Sequence, residues 1–319
     1  MNNDVLTICI PTYNRAELLN ITLSNLIEVI HEFQCEIIVS DNASIDNTKE
    51  IVNIHKKCYR KLKYIRQFNN VGYDRNVATC YENSTSKYIW ILGDSKKITK
   101  ENFRFLYDNL KQEIYQAIVI NSENRIKNIP TKVFDNASIL LADIGWHITL
   151  LCSTIISKDF INKQIINRYY DTDFIHFGVF FENIVKYEKL NILWVNDNIV
   201  YSTNHDLDSK IFKSNNWNLL EVFAVKWFTI VMSLPNQIEL FSKLKCIKDH
   251  DKNINIFTFR QLIALRARQK INKFDLNKNK NIVPFITNLS IMKIRLAFII
   301  PYPILEFTLL VYDKLKCLK

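Results

Sequence analysis

The sequence predicts an α/β protein: a mostly parallel sheet flanked by helices, followed by a helical C-terminal region. Three observations lead there. Short apolar runs alternate with segments of helical period through the first 121 residues. Polar clusters stand directly after those apolar runs. Beyond Trp217 the strand signals stop, while the helical period continues.

The elements follow in order. Val5–Ile10 is an apolar run stopped by Pro11, and residues 15–31 space Leu18, Leu19, Leu23, Leu26, Ile27 and Ile30 along one helix face. Glu36–Val39 reads as a buried strand, with Asp46 or Ser44 capping a helix that runs to about Lys57. Leu62–Arg66 is a strand, Asn69–Gly72 a turn and Asp74–Asn83 a helix. Tyr88–Leu92 is a strand, Thr99 caps a helix to about Gln112, and Ala117–Ile120 is again a strand. Such β-α repetition implies parallel strands covered on both faces, with ligands at their carboxyl ends.

Between 130 and 205 the pattern is mixed. An apolar stretch, Ile148–Ile156, precedes Ser157 as a helix cap; Phe174–Tyr187 is helical, and Ile192–Val195 and Ile199–Tyr201 are strands. Helices are expected over 217–233, 236–247 and 255–271, with an apolar tail from about Ile291. The domain reading is residues 1–212, split into a donor-side half (1–121) and an acceptor-side half (122–212), then a helical region over 213–319.

Composition sets the class. Hydrophobic residues make up 48% and charged residues 23% of the chain, an ordinary globular balance. The formal charge is +10, which favours a polyanion, an anionic lipid surface or a phosphorylated small molecule. No zinc-finger spacing, RNA-binding aromatic signature or arginine-rich arm is present, so nucleic acid is not expected. The seven cysteines show no C-x-x-C pair and read as reduced thiols of a cytoplasmic protein.

The chemistry lies at the strand ends. The first strand ends in Pro11-Thr12-Tyr13-Asn14-Arg15 and the second in Ser40-Asp41-Asn42-Ala43-Ser44. The fourth ends in Leu92-Gly93-Asp94, and Asn70-Val71-Gly72-Tyr73-Asp74-Arg75-Asn76 lies between. Carboxylates there can meet base N–H groups or ribose hydroxyls, and Arg15 can meet phosphate.

With Tyr88-Ile89-Trp90-Ile91-Leu92-Gly93-Asp94, these segments resemble the family-two glycosyltransferases of the GT-A (Rossmann-like) fold. The flavour is the bacterial O-antigen and capsule type, abequosyltransferase-like. The resemblance is specific over residues 5–95 and looser to about 205. It implies inverting transfer from a nucleoside-diphosphate sugar, UDP favoured, usually with Mg²⁺ or Mn²⁺. It places Pro11, Thr12, Tyr13, Arg15, Asp41, Asn42, Gly72, Asp74, Asn76, Asp94, Ser95 and Lys96 around the donor. Asp41 would read the base, and Asp94 would hold ribose or the metal shell. His205 is placed near the metal or diphosphate.

One departure stands out. The family continues from Asp94 with carboxylates in a D-x-D metal motif, whereas this chain reads Asp94-Ser95-Lys96-Lys97. An ammonium cannot ligate a cation but can itself neutralise a leaving diphosphate, so Lys96 or Lys97 is expected to replace the ion. The general base is expected at His176 or Asp173, with Glu182 behind them; Trp146 and His147 are candidates to face the acceptor.

Residues 295–312 approach spanning length, but Pro301, Pro303 and Glu306 interrupt them. An interfacial element is expected, or an apolar helix docked on the domain or on a second copy of the chain as a homodimer. The expected acceptor is a glycan or an undecaprenyl-linked glycan, with the protein cytoplasmic and peripheral on the inner membrane face. A degenerate nucleotide-sugar-binding scaffold is the alternative. A nucleotidyltransferase is disfavoured, because its glycine-rich loop after strand one is missing.

Overall fold

Leu6–Thr12 (β1) is buried along its whole length, so it must sit inside a sheet covered on both faces. The computed structural model, which describes residues 4–203, 218–305 and 307, places it there. β1 pairs in parallel with Glu36–Asp41 (β2) on one side and Tyr88–Ile91 (β4) on the other, and β2 pairs in parallel with Leu62–Arg66 (β3). The chain runs outward from β1 to β3 and then returns to β4 on the opposite side. Ala16–Ile30 (α1), Thr48–Cys58 (α2) and Tyr73–Asn83 (α3) make these crossovers, and α1 buries the predicted Leu18, Leu19, Leu23, Leu26 and Ile30.

The full order is β3-β2-β1-β4-β8-β6-β9-β7. Ala117–Ile120 (β6) is parallel to Ile192–Val195 (β9), while Thr154–Ser157 (β8) is antiparallel to both β4 and β6. Lys132–Phe134 (β7) is a short antiparallel edge strand beside β9. A second, two-stranded sheet pairs Lys96–Ile98 (β5) antiparallel with Val200–Ser202 (β10). Lys100–Lys111 (α4) starts at Thr99, whose Oγ1 accepts from Asn102 N.

The sequence reading needs local corrections. The apolar run Ile148–Ile156 opens as a 3-10 turn, and only Thr154–Ser157 becomes strand. Ser157 caps a 3-10 turn over Lys158–Phe160 rather than an α-helix. Asn47 stands at the N-cap of α2 without a side-chain bond, and the capping contact comes from Asp46, whose Oδ1 accepts from Thr48 N at 3.2 Å while its Oδ2 accepts from Ala16 N at 2.9 Å; Ser44 Oγ accepts from Asn14 N and does not cap the helix. β5 and β7 were missed because three residues are too few to show alternation. Ala137–Ile144 (α5) and Lys163–Arg168 (α6) precede Ile175–Ile184 (α7), which is shorter than the predicted 174–187.

The chain divides into two compact units. The first comprises Met1–Ser214 with Leu234–Ile238 and contains the whole sheet; the second comprises Asn215–Ser233 and Glu239–Lys319. Within the second, Glu221–Lys226 is a π-helical turn continuing into Trp227–Ser233. Helices follow over Leu240–Ile254, Phe259–Ala267, Lys273–Lys278, Val283–Ile286 and Ile291–Ile299. The helix expected over 236–247 runs on to Ile254, that expected over 255–271 shortens to Phe259–Ala267, and Lys273–Lys278 and Val283–Ile286 have no counterpart in the sequence reading. One break comes from Asn255, left-handed at φ 58, which ends its helix.

Candidate active site

The strand order reverses between β1 and β4, and side chains bridge that crevice. Thr12 Oγ1, at the end of β1, donates to Asp94 Oδ2 at 2.9 Å, and Arg15 Nε lies 3.0 Å from Asp94 Oδ1. Thr22 Oγ1 of α1 donates to the Asp94 carbonyl at 2.9 Å, which fixes the turn after β4. The predicted Thr12, Arg15 and Asp94 therefore meet at the switch point, where open α/β sheets bind ligands. Tyr13 is 42% exposed, while Pro11 lies buried in β1.

The next loop is built by amide and carboxylate clamps. Asp41 is fully buried; its Oδ1 accepts from Ser44 N at 2.8 Å and its Oδ2 from Tyr64 OH at 2.5 Å. Arg66 Nε approaches Asp41 Oδ2 at 3.5 Å. The carboxylate thus shapes the turn rather than presenting itself to solvent. Asn42 accepts from Val71 N and donates to Asn70, holding the 70–72 loop against β2. Gly72 has φ 86, a conformation that side chains resist, at the entry to α3. Asn76 donates to the Ser40 carbonyl and accepts from its hydroxyl, so it is structural. Asn14 (φ 51), Ala43 (φ 62), Glu123 (φ 61) and Asp173 (φ 63) are also left-handed.

Asp74 ties this region to α7. Its Oδ2 accepts from Asp173 N at 2.9 Å and its Oδ1 from Ile175 N at 3.2 Å, so a carboxylate from α3 caps the helix that follows Asp173. Burial pushes the Asp74 carboxyl up from 3.8 to about 6, against the backbone N–H groups that favour its charge. The folded protein therefore takes up this proton near pH 6, and the unfolded chain only near pH 4. The group destabilises the fold above pH 6, and stability rises by up to about 3 kcal/mol as pH falls from 7 to 4. Asp74→Asn should remove this slope from urea-denaturation midpoints measured across that range; parallel curves for the two proteins would refute the assignment.

Asp173 is half-buried, at the left-handed position ahead of α7. His176, the second residue of the helix, is 2% exposed. Its Nδ1 lies 3.4 Å from Tyr73 OH and its Nε2 3.3 Å from the Thr149 carbonyl, and burial pulls its pKa down to about 4. Glu182 accepts from Tyr169 OH at 2.6 Å and pairs with Arg168. A Cβ on Gly178 would come within 2.3 Å of the Tyr169 ring, so α7 and the segment after α6 pack at a distance only glycine permits. Trp146 and His147 are buried; His147 Nε2 meets the Ile120 carbonyl at 2.9 Å, which places it in the core rather than facing an acceptor.

Lys96 extends beside Gly93, and its Nζ pairs with Glu123 at 2.7 Å and with Ser202 Oγ at 3.1 Å. Ser202 Oγ donates to the same Glu123 oxygen at 2.6 Å. Ser95 is buried and its carbonyl accepts from Thr203 N, beside the β5–β10 pairing. Sequence reasoning missed Glu123 and Tyr64, because a lone Glu in a turn and a strand Tyr carry no local signal. The divalent cation that the resemblance implies does not fit the described residues. Both oxygens of Asp94 are engaged by Thr12 and Arg15, an ammonium stands at the second ligand position, and no group of three His, Cys, Asp or Glu is gathered among the described residues. His205 lies outside the described residues.

The fold is shared with known proteins. Residues 7–173 match Glycosyl transferase family 2, so the chain belongs to that family. It is 34% identical over 116 residues to abequosyltransferase RfbV of Salmonella typhimurium, covering 35% of this chain and 34% of that protein. The S. aureus TarS 1-349 structure in complex with UDP-GlcNAc aligns at TM-score 0.59 and 12% identity, over 88% of this chain and 81% of that one. Mannosyltransferase PcManGT from Pyrobaculum calidifontis, in complex with GDP-Man and Mn²⁺, aligns at TM-score 0.52 and 13% identity over 84% and 76%. These likenesses establish the fold as GT-A. The matched segment spans about a third of the abequosyltransferase.

Proposed function

We propose that the chain is an inverting glycosyltransferase that moves a sugar from a nucleoside-diphosphate sugar, with UDP the favoured nucleotide. The acceptor is a glycan or an undecaprenyl-linked glycan in bacterial capsule or O-antigen assembly, and the enzyme works on the cytoplasmic face of the membrane. The Thr12–Asp94–Arg15 bridge across the switch point carries this reading. It supplies a fixed cation where a diphosphate would lie. The turn held by Asp41 and the loop ending at Gly72 form the base and ribose walls. The UDP-GlcNAc complex of TarS supports the uridine preference.

Asp173 acts as general base. Its carboxylate takes the proton of the acceptor hydroxyl while that oxygen attacks the anomeric carbon. The anomeric bond to the diphosphate oxygen breaks, and nucleoside diphosphate leaves with the bonding electron pair. One displacement on the face opposite the leaving group inverts the anomeric centre. His176, with both nitrogens engaged and its pKa near 4, positions this segment rather than moving the proton. As negative charge grows on the diphosphate, Arg15 and Lys96 meet it, and Lys96 exchanges Glu123 for the phosphate.

This assignment makes the enzyme independent of divalent metal. Transfer from a panel of nucleotide sugars in excess EDTA should stay within about twofold of that with Mn²⁺, while Lys96→Met should lose about 100-fold in turnover. Loss of an otherwise good activity in EDTA would overturn the lysine assignment. A degenerate nucleotide-sugar-binding scaffold is the second reading, favoured by the same broken metal motif; binding without turnover for every donor would select it.

A further inference from the structure

The two compact units differ in charge. The first carries 25 Lys and Arg against 25 Asp and Glu; the second carries 17 against 7 and so holds the whole net charge of +10. In that second unit the helix Ile291–Ile299 is apolar on two faces. Ile294, Ala297 and Phe298 pack inward, while Met292, Leu296 and Ile299 point outward at 78%, 53% and 70% exposure. The outward three follow i, i+4, i+7 spacing, which is one stripe of a helix. Exposed Lys293 and Arg295 flank it, and Ile304 and Phe307 extend the exposed apolar surface beyond the helix.

The stripe is held in place. Ser290 caps the helix start, and Arg266 Nη1 donates to the Ala297 and Ile300 carbonyls at its end. Tyr302 OH donates to the Ala267 carbonyl at 3.1 Å. The outward side chains therefore cannot be buried by turning the helix without breaking these bonds. A contiguous exposed apolar stripe of this kind marks an interaction surface.

We propose that the outward face of Ile291–Ile299, with Lys293 and Arg295, docks on an anionic lipid bilayer. The apolar stripe would enter the headgroup–acyl boundary while the long basic side chains reach lipid phosphates. Nine residues rise only about 14 Å, too short to cross, so the helix lies in the interface. No helix of the described residues is long and apolar enough to span a membrane. Charge selects the occupant. A second copy of the chain would bring the same cations to the contact, and nucleic acid would leave Met292, Leu296 and Ile299 in water. The proposal stands independently of which sugar is transferred, or whether one is.

Co-sedimentation of the full chain with phosphatidylglycerol-containing and pure phosphatidylcholine vesicles tests it. The protein should bind the anionic vesicles and release them as salt rises. Leu296→Ser with Ile299→Ser should weaken binding about tenfold or more. Lys293→Gln with Arg295→Gln should weaken it about 30-fold on anionic vesicles. Both pairs are exposed, so thermal melting should match the parent protein, and the charge pair leaves the apolar packing untouched. Wild-type protein that ignores anionic vesicles, or both variants binding as it does, would overturn the proposal. So would light scattering that shows a dimer dissolved by the Leu296/Ile299 pair with vesicle binding unchanged.

Discussion

Asp173→Asn should lower transfer by about 10²- to 10⁴-fold, the range that a positioned general base contributes, while donor affinity stays within a factor of about two. The substitution keeps the backbone N–H that Asp74 accepts, so the cap on α7 survives and the effect isolates the proton acceptor. His176→Asn should behave differently. It disturbs the contacts to Tyr73 and the Thr149 carbonyl, and so should raise the acceptor KM more than it lowers kcat. The two readouts separate base from positioning residue. Asp173→Asn within threefold of wild type, with His176→Asn collapsing kcat, would reverse the assignment.

The first half of the sheet was legible because its elements are regular. β1, β2, β4 and β6 are buried along every residue, and their apolar runs stand out against helices of clear period. The meeting of Thr12, Arg15 and Asp94 was readable too, since a β-α repeat brings strand ends to one edge whatever the side chains. Partners set by tertiary structure were not readable. Asp74 looked like a donor-loop carboxylate, yet it caps a helix that begins about a hundred residues later in the chain. His176 has the right intrinsic pKa for a base, and only its burial shows why that value does not hold. Lys96 meets Glu123 of a 3-10 turn beside Ser202, its partner across two strands of three residues each, below the length at which alternation can be recognised. In the helical unit the apolar tail from about Ile291 was visible. Which side of it faces outward was not, because both sides are apolar.

Asp94→Ala should remove donor binding more completely than any other single change at the strand ends. It deletes the acceptor of Thr12 and the carboxylate that orients Arg15, two charge-assisted contacts at the switch point. Without that carboxylate nothing fixes Thr12 and Arg15 where the diphosphate would lie, and misplacement of this kind is expected to lower donor affinity by about 100-fold. Asp94→Asn, which keeps the shape and one hydrogen bond, should fall between the two proteins and serves as the folding control. A nucleoside-diphosphate sugar is expected to bind at the edge where β1 and β4 part. Calorimetric titration of UDP-sugars in excess EDTA measures it directly. Saturable one-to-one binding by the wild type, weakened stepwise in Asp94→Asn and Asp94→Ala, is the expected result; equal affinity in all three proteins, or no binding of any nucleotide sugar by the wild type, would contradict it.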